Sequence, residues 1–360
     1  MQNKKPYLQS MTKLFDMRDG YAPVRGILGM SDPSVHCIDG RWTMFIGAMG
    51  WSFKTNIICA RLPEGAPLDS AEWSFEMLPG SGHRVKWLIP QPPRGSWNRF
   101  LHSVCYVKGM VNSVPVERIY HAGRTTENVS DLTTPYTIGF MEKVDGVWIS
   151  RKQPLALRGT KEYPSILEPK VEYVNGRWCM RYLAIPGKTN KNTIPSYTIL
   201  YSESADGEHH WTEPVVMFDT REGFFDSVVL PAKEDGYLMA LTRDSNLESL
   251  PNYPPQGIWL SSSPTYSCNR KDWSSPVRVV DPSDDTDGWY ANGMCSPTMQ
   301  WGNTALDADT LYIFFVAATQ KTSWLKESLR RLSRFQRPLV PSPFYFTIGR
   351  AEIRFDLAVN

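Results

Sequence analysis

DPSVHCIDGRWTM, residues 32–44, and EPKVEYVNGRWCM, residues 168–180, align without a gap. An acid, Pro, Val, the Gly-Arg-Trp triplet and Met fall at matching offsets in both. Each stretch reads as a strand, a two-residue turn at Asp39-Gly40 or Asn175-Gly176, and a returning strand. The Asp-Gly and Asn-Gly pairs supply the positive φ that a tight hairpin demands. Two copies of one hairpin in a single chain point to a repeat architecture.

Working outward, weaker copies appear. LHSVCY (from Leu101) leads to RIYHAGRT, ending at Thr125. Asp226 opens DSVVLPAKEDGYLMALTRD with its own Asp-Gly turn, and Cys295 opens CSPTMQW ahead of TLYIFFVAA. The five units start near residues 32, 102, 168, 226 and 295, at intervals of 58 to 70 residues. Each has a candidate third strand: NIICARL from Asn56, YTIGFMEK from Tyr136, YTILYSES from Tyr197, GIWLSSS from Gly257 and FTIGRAEI from Phe346. Four units close with a tryptophan near a turn, at Trp73, Trp148, Trp211 and Trp273. That order is the order of a four-stranded propeller blade.

The expected fold is therefore all-β. Residues 1–360 form a single five-bladed β-propeller domain with four-stranded blades, and residues 1–25 supply the missing outer strand of the last blade. A β-sandwich seldom repeats five long units, and β-helix repeats are far shorter. One segment breaks the pattern: KTSWLKESLRRLSRFQR, residues 321–337, carries Leu325, Leu329 and Leu332 at helical spacing. It predicts a short basic amphipathic helix inserted in the last blade, either packed on the rim or offered to a partner or an anionic lipid surface.

Composition agrees. With 41% apolar and 12% aromatic residues, 13 Trp, 28 Pro and 25 Gly, the chain suits many short strands joined by tight turns. A net charge of +2 gives no pull toward nucleic acid or an acidic membrane, and neither is expected as a partner. The cysteines (Cys37, Cys59, Cys105, Cys179, Cys268, Cys295) form no CxxC pair and read as buried reduced thiols. The first twenty residues lack an apolar h-region, so the expected location is the cytoplasm. There is no GxSxG elbow, P-loop, HExxH or GxGxxG, and no cofactor is expected. The run Asp284-Asp285-Thr286-Asp287-Gly288 lacks the remaining spacing and terminal Glu of an EF-hand loop. It reads as a solvated turn, with a structural calcium ion as the alternative.

In a propeller the first strand of every blade lines the central channel, so residues at those five starts converge at one mouth. They are Asp32, His102, Glu168, Asp226 and Ser296. Three are acids among apolar neighbours, where like charge and desolvation both oppose ionisation. Packing has no need of them there. Convergence would raise one acid's pKa and leave another ionised, the division of labour of a general acid and a base. The alternative is that each acid caps a turn or pairs with Arg124, Arg181 or Arg243. Trp51, Trp87 and Trp97 read as loop residues that either stack on sugar faces or fill gaps between blades. His102 either orients Asp32, hydrogen-bonds substrate or is structural. The Pro/Gly-rich stretch from Leu78 to Arg99 reads as a wall or lid.

The Asp-Pro-x-Val and x-Gly-Arg-Trp hairpin resembles the first blade of the five-bladed-propeller glycosidases: glycoside hydrolase family 43 and the related invertase and levansucrase families. The segments SESADGEHHWTEP, from Ser202, and SSPTYSCNRKDWSSP, from Ser262, resemble blade endings of that group. The resemblance implies three inner-strand carboxylates. Asp32 matches the base or nucleophile, Glu168 falls where family 43 has a tuning Asp, and Asp226 falls where it has the general-acid Glu. The two residue types are exchanged relative to that pattern, so Glu168 and Asp226 share the acid and tuning roles in an open order. A separation between Asp32 and the acid of about 5–5.5 Å would mean retention and roughly 6.5–9.5 Å inversion; the resemblance favours inversion.

The expected function is hydrolysis of a small or terminal glycoside, the substrate being a small molecule or oligosaccharide. Two alternatives stand beside it. One is a catalytically inactive carbohydrate-binding propeller. The other is glycosyltransfer or phosphorolysis on the same scaffold, with Arg124 and Arg243 as candidate anion ligands.

Overall fold

The computed structural model describes residues 4–16, 27–50, 53–82, 84–128, 131, 133–185, 197–243, 255–319, 323–335 and 346–357. The chain opens with β1 (Lys4–Asp16). The first complete sheet is β2 (Ile27–Ile38), β3 (Arg41–Gly50), β4 (Thr55–Arg61) and β5 (Ser74–Phe75). The second is β6 (Phe100–Val111), β7 (Val114–Arg124), β8 (Thr137–Val144) and β9 (Val147–Ser150). The third is β10 (Ser165–Val174), β11 (Arg177–Ile185), β12 (Thr198–Ser204) and β13 (Val215–Phe218). The fourth is β14 (Phe224–Pro231), β15 (Tyr237–Arg243), β16 (Ile258–Ser263) and β17 (Val277–Val280). β18 (Met294–Trp301), β19 (Leu311–Ala318) and β20 (Phe346–Leu357) make the fifth, and β1 completes it by pairing antiparallel with β20.

These are the five blades of a β-propeller. The inner strands touch in cyclic order, β2 with β6, β6 with β10, β10 with β14, β14 with β18, and β18 again with β2. The hairpins form where the Asx-Gly pairs predict them. Asp39 and Asn175 both sit at φ 51°, and the glycines that follow both sit at φ 77°, the double positive φ of a tight hairpin turn. The tryptophans of the Gly-Arg-Trp triplets are core residues. Trp178 is fully buried between the second and third blades, where its indole N–H donates to the Met110 carbonyl at 3.2 Å. A side chain at Gly109 would lie 2.5 Å from that indole, so the close approach requires glycine.

Buried arginines bridge the gaps between blades. Arg118 on β7 donates to the Asp206 carbonyl of the third blade. Arg181 on β11 pairs with Glu172 and donates to the Tyr266 hydroxyl of the fourth blade at 2.9 Å. Arg350 on β20 donates to the Leu68 and Ser70 carbonyls of the first. Arg181 thus serves a blade interface and pairs with none of Asp32, Glu168 and Asp226. Cys59, Cys105 and Cys179 are buried free thiols, as expected, whereas Cys268 and Cys295 are half-buried and Cys37 is exposed.

The inserted helix is α1 (Trp324–Leu332), capped by the Ser323 hydroxyl at the Lys326 amide. Its leucine stripe faces outward: Leu325, Leu329 and Leu332 are exposed, and the buried positions are Ser328 and Arg331. Helical spacing predicts a stripe but not the direction in which it faces. The buried positions of the helix are polar, and Arg331 pairs with Glu327 one turn earlier on the same helix at 3.2 Å. Residues 321–322 and 336–337 of the expected helix lie outside the described residues. In the acid-rich run, Asp285 accepts the backbone N–H groups of Asp287, Gly288 and Tyr290, which closes that loop as an Asx turn.

Candidate active site

Every inner strand has a bulge of one extra residue at the level of the predicted acids. The register slips between Ser31 and Ser34, His102 and Cys105, Leu167 and Lys170, Phe224 and Asp226, and Cys295 and Thr298. In four of the five blades the residue starting the bulge adopts a left-handed backbone: Asp32 at φ 53°, Ser103 at φ 61°, Glu168 at φ 52° and Ser296 at φ 52°. None is glycine, and each non-glycine residue in that region costs about 1 kcal/mol. A bulge bends its strand and re-aims one side chain. Proline follows three of these residues, at Pro33, Pro169 and Pro297, where the bulge leaves the ladder without need of an N–H. In the fourth blade Phe225 is the extra residue, and Asp226 stays paired with Thr242.

The five aimed side chains are joined by hydrogen bonds. Asp32 accepts from the Ser296 hydroxyl at 2.6 Å on Oδ1, and from the Ser31 hydroxyl at 2.7 Å and the Ser103 amide at 2.9 Å on Oδ2. The Ser103 hydroxyl donates to Glu168 Oε1 at 2.6 Å. The Ser296 amide donates to Asp226 Oδ2 at 2.8 Å. Between Glu168 and Asp226 no serine intervenes, but Lys170 Nζ lies 3.8 Å from Asp226 Oδ1. Hydrogen bonds therefore link Glu168, Ser103, Asp32, Ser296 and Asp226 in one open chain, and Lys170 stands beside Asp226 at its far end. All six residues are buried.

Electrostatics divides the three acids. Asp32 accepts three hydrogen bonds. Burial, then the nearby Asp32 and Asp226 charges, push Glu168 well above the ordinary carboxylate range. Its Oε2 is buried without a hydrogen-bond partner. Burial also raises Asp226, opposed by Lys170 and the Ser296 amide. Burial works against the Lys170 ammonium, yet Asp226 and then Glu168 outweigh it and hold its proton more tightly than usual. His102 is held neutral by burial. Its Nδ1 is 2.6 Å from the Ser103 hydroxyl and 4.0 Å from Glu168 Oε1. The histidine is thus linked to Glu168 through Ser103, not directly to Asp32.

The channel continues beyond the acids as a cavity of about 220 Å³ lined by residues such as Ser34, His36, Lys170, Glu172 and Gln300.

The other expected site residues are dispersed. Ser296 belongs to the hydrogen-bonded chain, holding two acids at once. Arg124 is buried, with its guanidinium 4.7 Å from the Phe100 ring and 4.8 Å from the Tyr136 ring, donating to the Asp131 and Asn128 carbonyls. Tyr136 meets His102 edge-on at 4.7 Å, so this cluster flanks the acids. Arg243 stacks on Phe224 and Trp259 and donates to the Glu222 and Pro255 carbonyls. Trp97 is buried within the second blade, stacked on His121 at 5.0 Å with its N–H on the Arg151 carbonyl. Trp87 packs against the first-blade core. Trp51 lies outside the described residues. The wall expected from Leu78 to Arg99 is anchored by Lys86–Glu76, Asn56 on the Ile89 carbonyl and Arg99 on the Pro92 carbonyl.

Sequence reasoning placed the second-blade residue at His102, one position early, and missed Lys170. Aligning the starts as DPSV, SVCY, EPKV and SPTM sets Ser103 level with Asp32, Glu168 and Ser296. A lysine two residues after Glu168, on the same inner strand, was the other available signal.

The raised Glu168 carries a stability consequence. The folded chain keeps a proton there that the unfolded chain releases at about pH 4, so the Glu168 contribution falls as pH rises from that value through the folded-state pKa. Glu168→Gln cannot titrate and lacks this decline. Its melting temperature relative to the natural chain is expected to climb between about pH 4 and 7 in scanning calorimetry; a constant difference across that range would contradict the assignment.

Comparison with known proteins places this geometry. No family model matches the sequence, and no curated protein matches it. Among solved structures, a thermostable family-43 glycoside hydrolase superposes with a TM-score of 0.57 at 14% identity, covering 93% of this chain and 91% of that one. An α-L-arabinofuranosidase from Lactobacillus brevis gives 0.57 at 12% identity, covering 92% of each chain. An α-L-arabinofuranosidase from Podospora anserina, solved with cellotriose, gives 0.55 at 10% identity, covering 96% of each. Over nearly its whole length, the chain has the five-bladed propeller fold seen in these glycoside hydrolases.

Proposed function

We propose that this protein is a glycoside hydrolase acting on a small or terminal glycoside, with Asp32 as general base and Glu168 and Asp226 providing the acid and tuning carboxyls. The observation that carries the reading is the chain of hydrogen bonds, through Ser103 and Ser296, that links these acids from three blades to one another. A fold held together for packing alone has no reason to gather three buried acids, two of them on left-handed backbone. The fold shared with arabinofuranosidases, one of them solved with an oligosaccharide, supports a carbohydrate substrate.

In the reaction, a water loses its proton to Asp32 as its oxygen attacks the anomeric carbon. The acid carboxyl gives its proton to the glycosidic oxygen as the C–O bond breaks. Asp32 ends protonated and the acid ends as a carboxylate; exchange with solvent restores both. Attack from the face opposite the leaving group inverts the anomeric centre.

The test is a screen of aryl α-L-arabinofuranosides, β-D-xylosides and other aryl glycosides, with proton NMR of the first-formed sugar. Release of sugar in the inverted configuration is the expected result. Binding of sugars without release would favour a carbohydrate-binding propeller, and release only with phosphate, as a sugar phosphate, would favour phosphorolysis.

A further inference from the structure

We propose that Lys170 is a positioning residue that settles the order of the two acids: its ammonium holds Asp226 as the carboxylate and leaves Glu168 to carry the transferable proton. This rests on the hydrolase reading and deepens it. It also reverses the order that the family resemblance implies, where the fourth-blade acid is the donor and the third-blade acid tunes.

The argument is one of partners. Asp32 has three donors on its two oxygens. Asp226 has the Ser296 amide on one oxygen and the Lys170 ammonium beside the other. Glu168 has a single donor, Ser103, and its second oxygen is buried with none. The buried carboxyl with the fewest donors and no ammonium paired to it is the one that keeps a proton when like charges flank it. Lys170 lies in the channel wall at 5% exposure, so its charge is little screened. The charged and titratable groups around it come from every neighbouring inner strand that bears one: Asp226 on β14, Glu168 on its own β10, Asp32 on β2, and Cys105 on β6. His102, also on β6, meets Glu168 through the Ser103 hydroxyl and is neutral.

The chemistry balances simply. The Glu168 proton passes to the leaving oxygen, Asp32 takes one from water, and Asp226 stays ionised against Lys170 throughout, offsetting none of the transfer but fixing which carboxyl makes it.

Two measurements test this. The first is kinetic. Glu168→Gln is expected to lose about 10²–10⁴-fold in kcat on aryl glycosides with poor leaving groups, and less than about tenfold on activated ones that need no proton. Asp226→Asn is expected to affect both substrate classes alike. Lys170→Met should show a loss on poor leaving groups with an altered alkaline limb of the kcat/KM profile, and Lys170→Arg should restore both. The second needs no turnover. Infrared difference spectra at neutral pH should show a protonated-carboxyl band that vanishes in Glu168→Gln and survives in Asp226→Asn. Lys170→Met should add a second such band from Asp226. A band removed by Asp226→Asn instead, or one indifferent to Lys170→Met, overturns the proposal. If no glycoside is turned over while the Glu168 band and its response to Lys170 are present, the hydrolase reading fails and the proton assignment stands.

Discussion

Asp32→Asn is expected to lower kcat on any cleaved glycoside by roughly 10³-fold or more, with KM changed little. The substitution is well suited to isolating chemistry from folding. Asp32 sits at φ 53°, and asparagine is, after glycine, the residue that best tolerates the left-handed region. Its amide keeps one oxygen to accept from the Ser31 hydroxyl and the Ser103 amide. The new N–H₂ can turn toward Ser296, whose hydroxyl is free to rotate and accept. What is lost is the negative charge and the ability to take a proton from water. The check is steady-state kinetics alongside thermal unfolding. Full activity in a folded Asp32→Asn protein would remove Asp32 from the base role.

The second large effect is structural. Arg181→Ala is expected to destabilise the fold by about 3–5 kcal/mol, the cost of breaking a buried pair by removing one partner. Arg181 is fully buried on β11 and pairs with Glu172, while Tyr266 of the fourth blade bonds to both. Glu172 in turn accepts the Val229 amide of β14 at 3.2 Å. Removing the guanidinium strands a shielded carboxylate and opens the seam between the third and fourth blades. Arg221 offers the contrast: it pairs with Asp219 while largely exposed, and Arg221→Ala should leave stability nearly unchanged. Urea unfolding of the two variants decides the matter. Similar midpoints would mean that the blade seam does not depend on the buried pair.

Much of the fold was legible because it rests on local chemistry. Asp-Gly and Asn-Gly turns impose their backbone wherever they occur, and the Gly-Arg-Trp repeat marks a second strand whose tryptophan must be buried. The channel acids were legible too, since Asp32, Glu168 and Asp226 break apolar strands at matching repeat positions. What was hidden depends on three-dimensional aim. The bulge that turns Ser103 rather than His102 toward the axis leaves no residue signature beyond an alignment offset of one. Trp97 reads as a loop aromatic, yet a glycine on each of two neighbouring strands, Gly123 and Gly139, makes room for it inside the blade. The direction in which the α1 leucine stripe faces is something no helical period encodes.

The left-handed bulges have one more implication. Together with the fourth-blade bulge at Phe225 they fix five seats around the axis through the main chain, so a side chain's task depends on which seat it occupies and how far it reaches. Glutamate and aspartate can trade seats at the cost of one methylene, without reshaping any strand. Two seats hold serine, which joins its neighbours where a further acid would repel them. Within this scaffold, new specificity is a matter of reseating a few side chains on an unchanged frame.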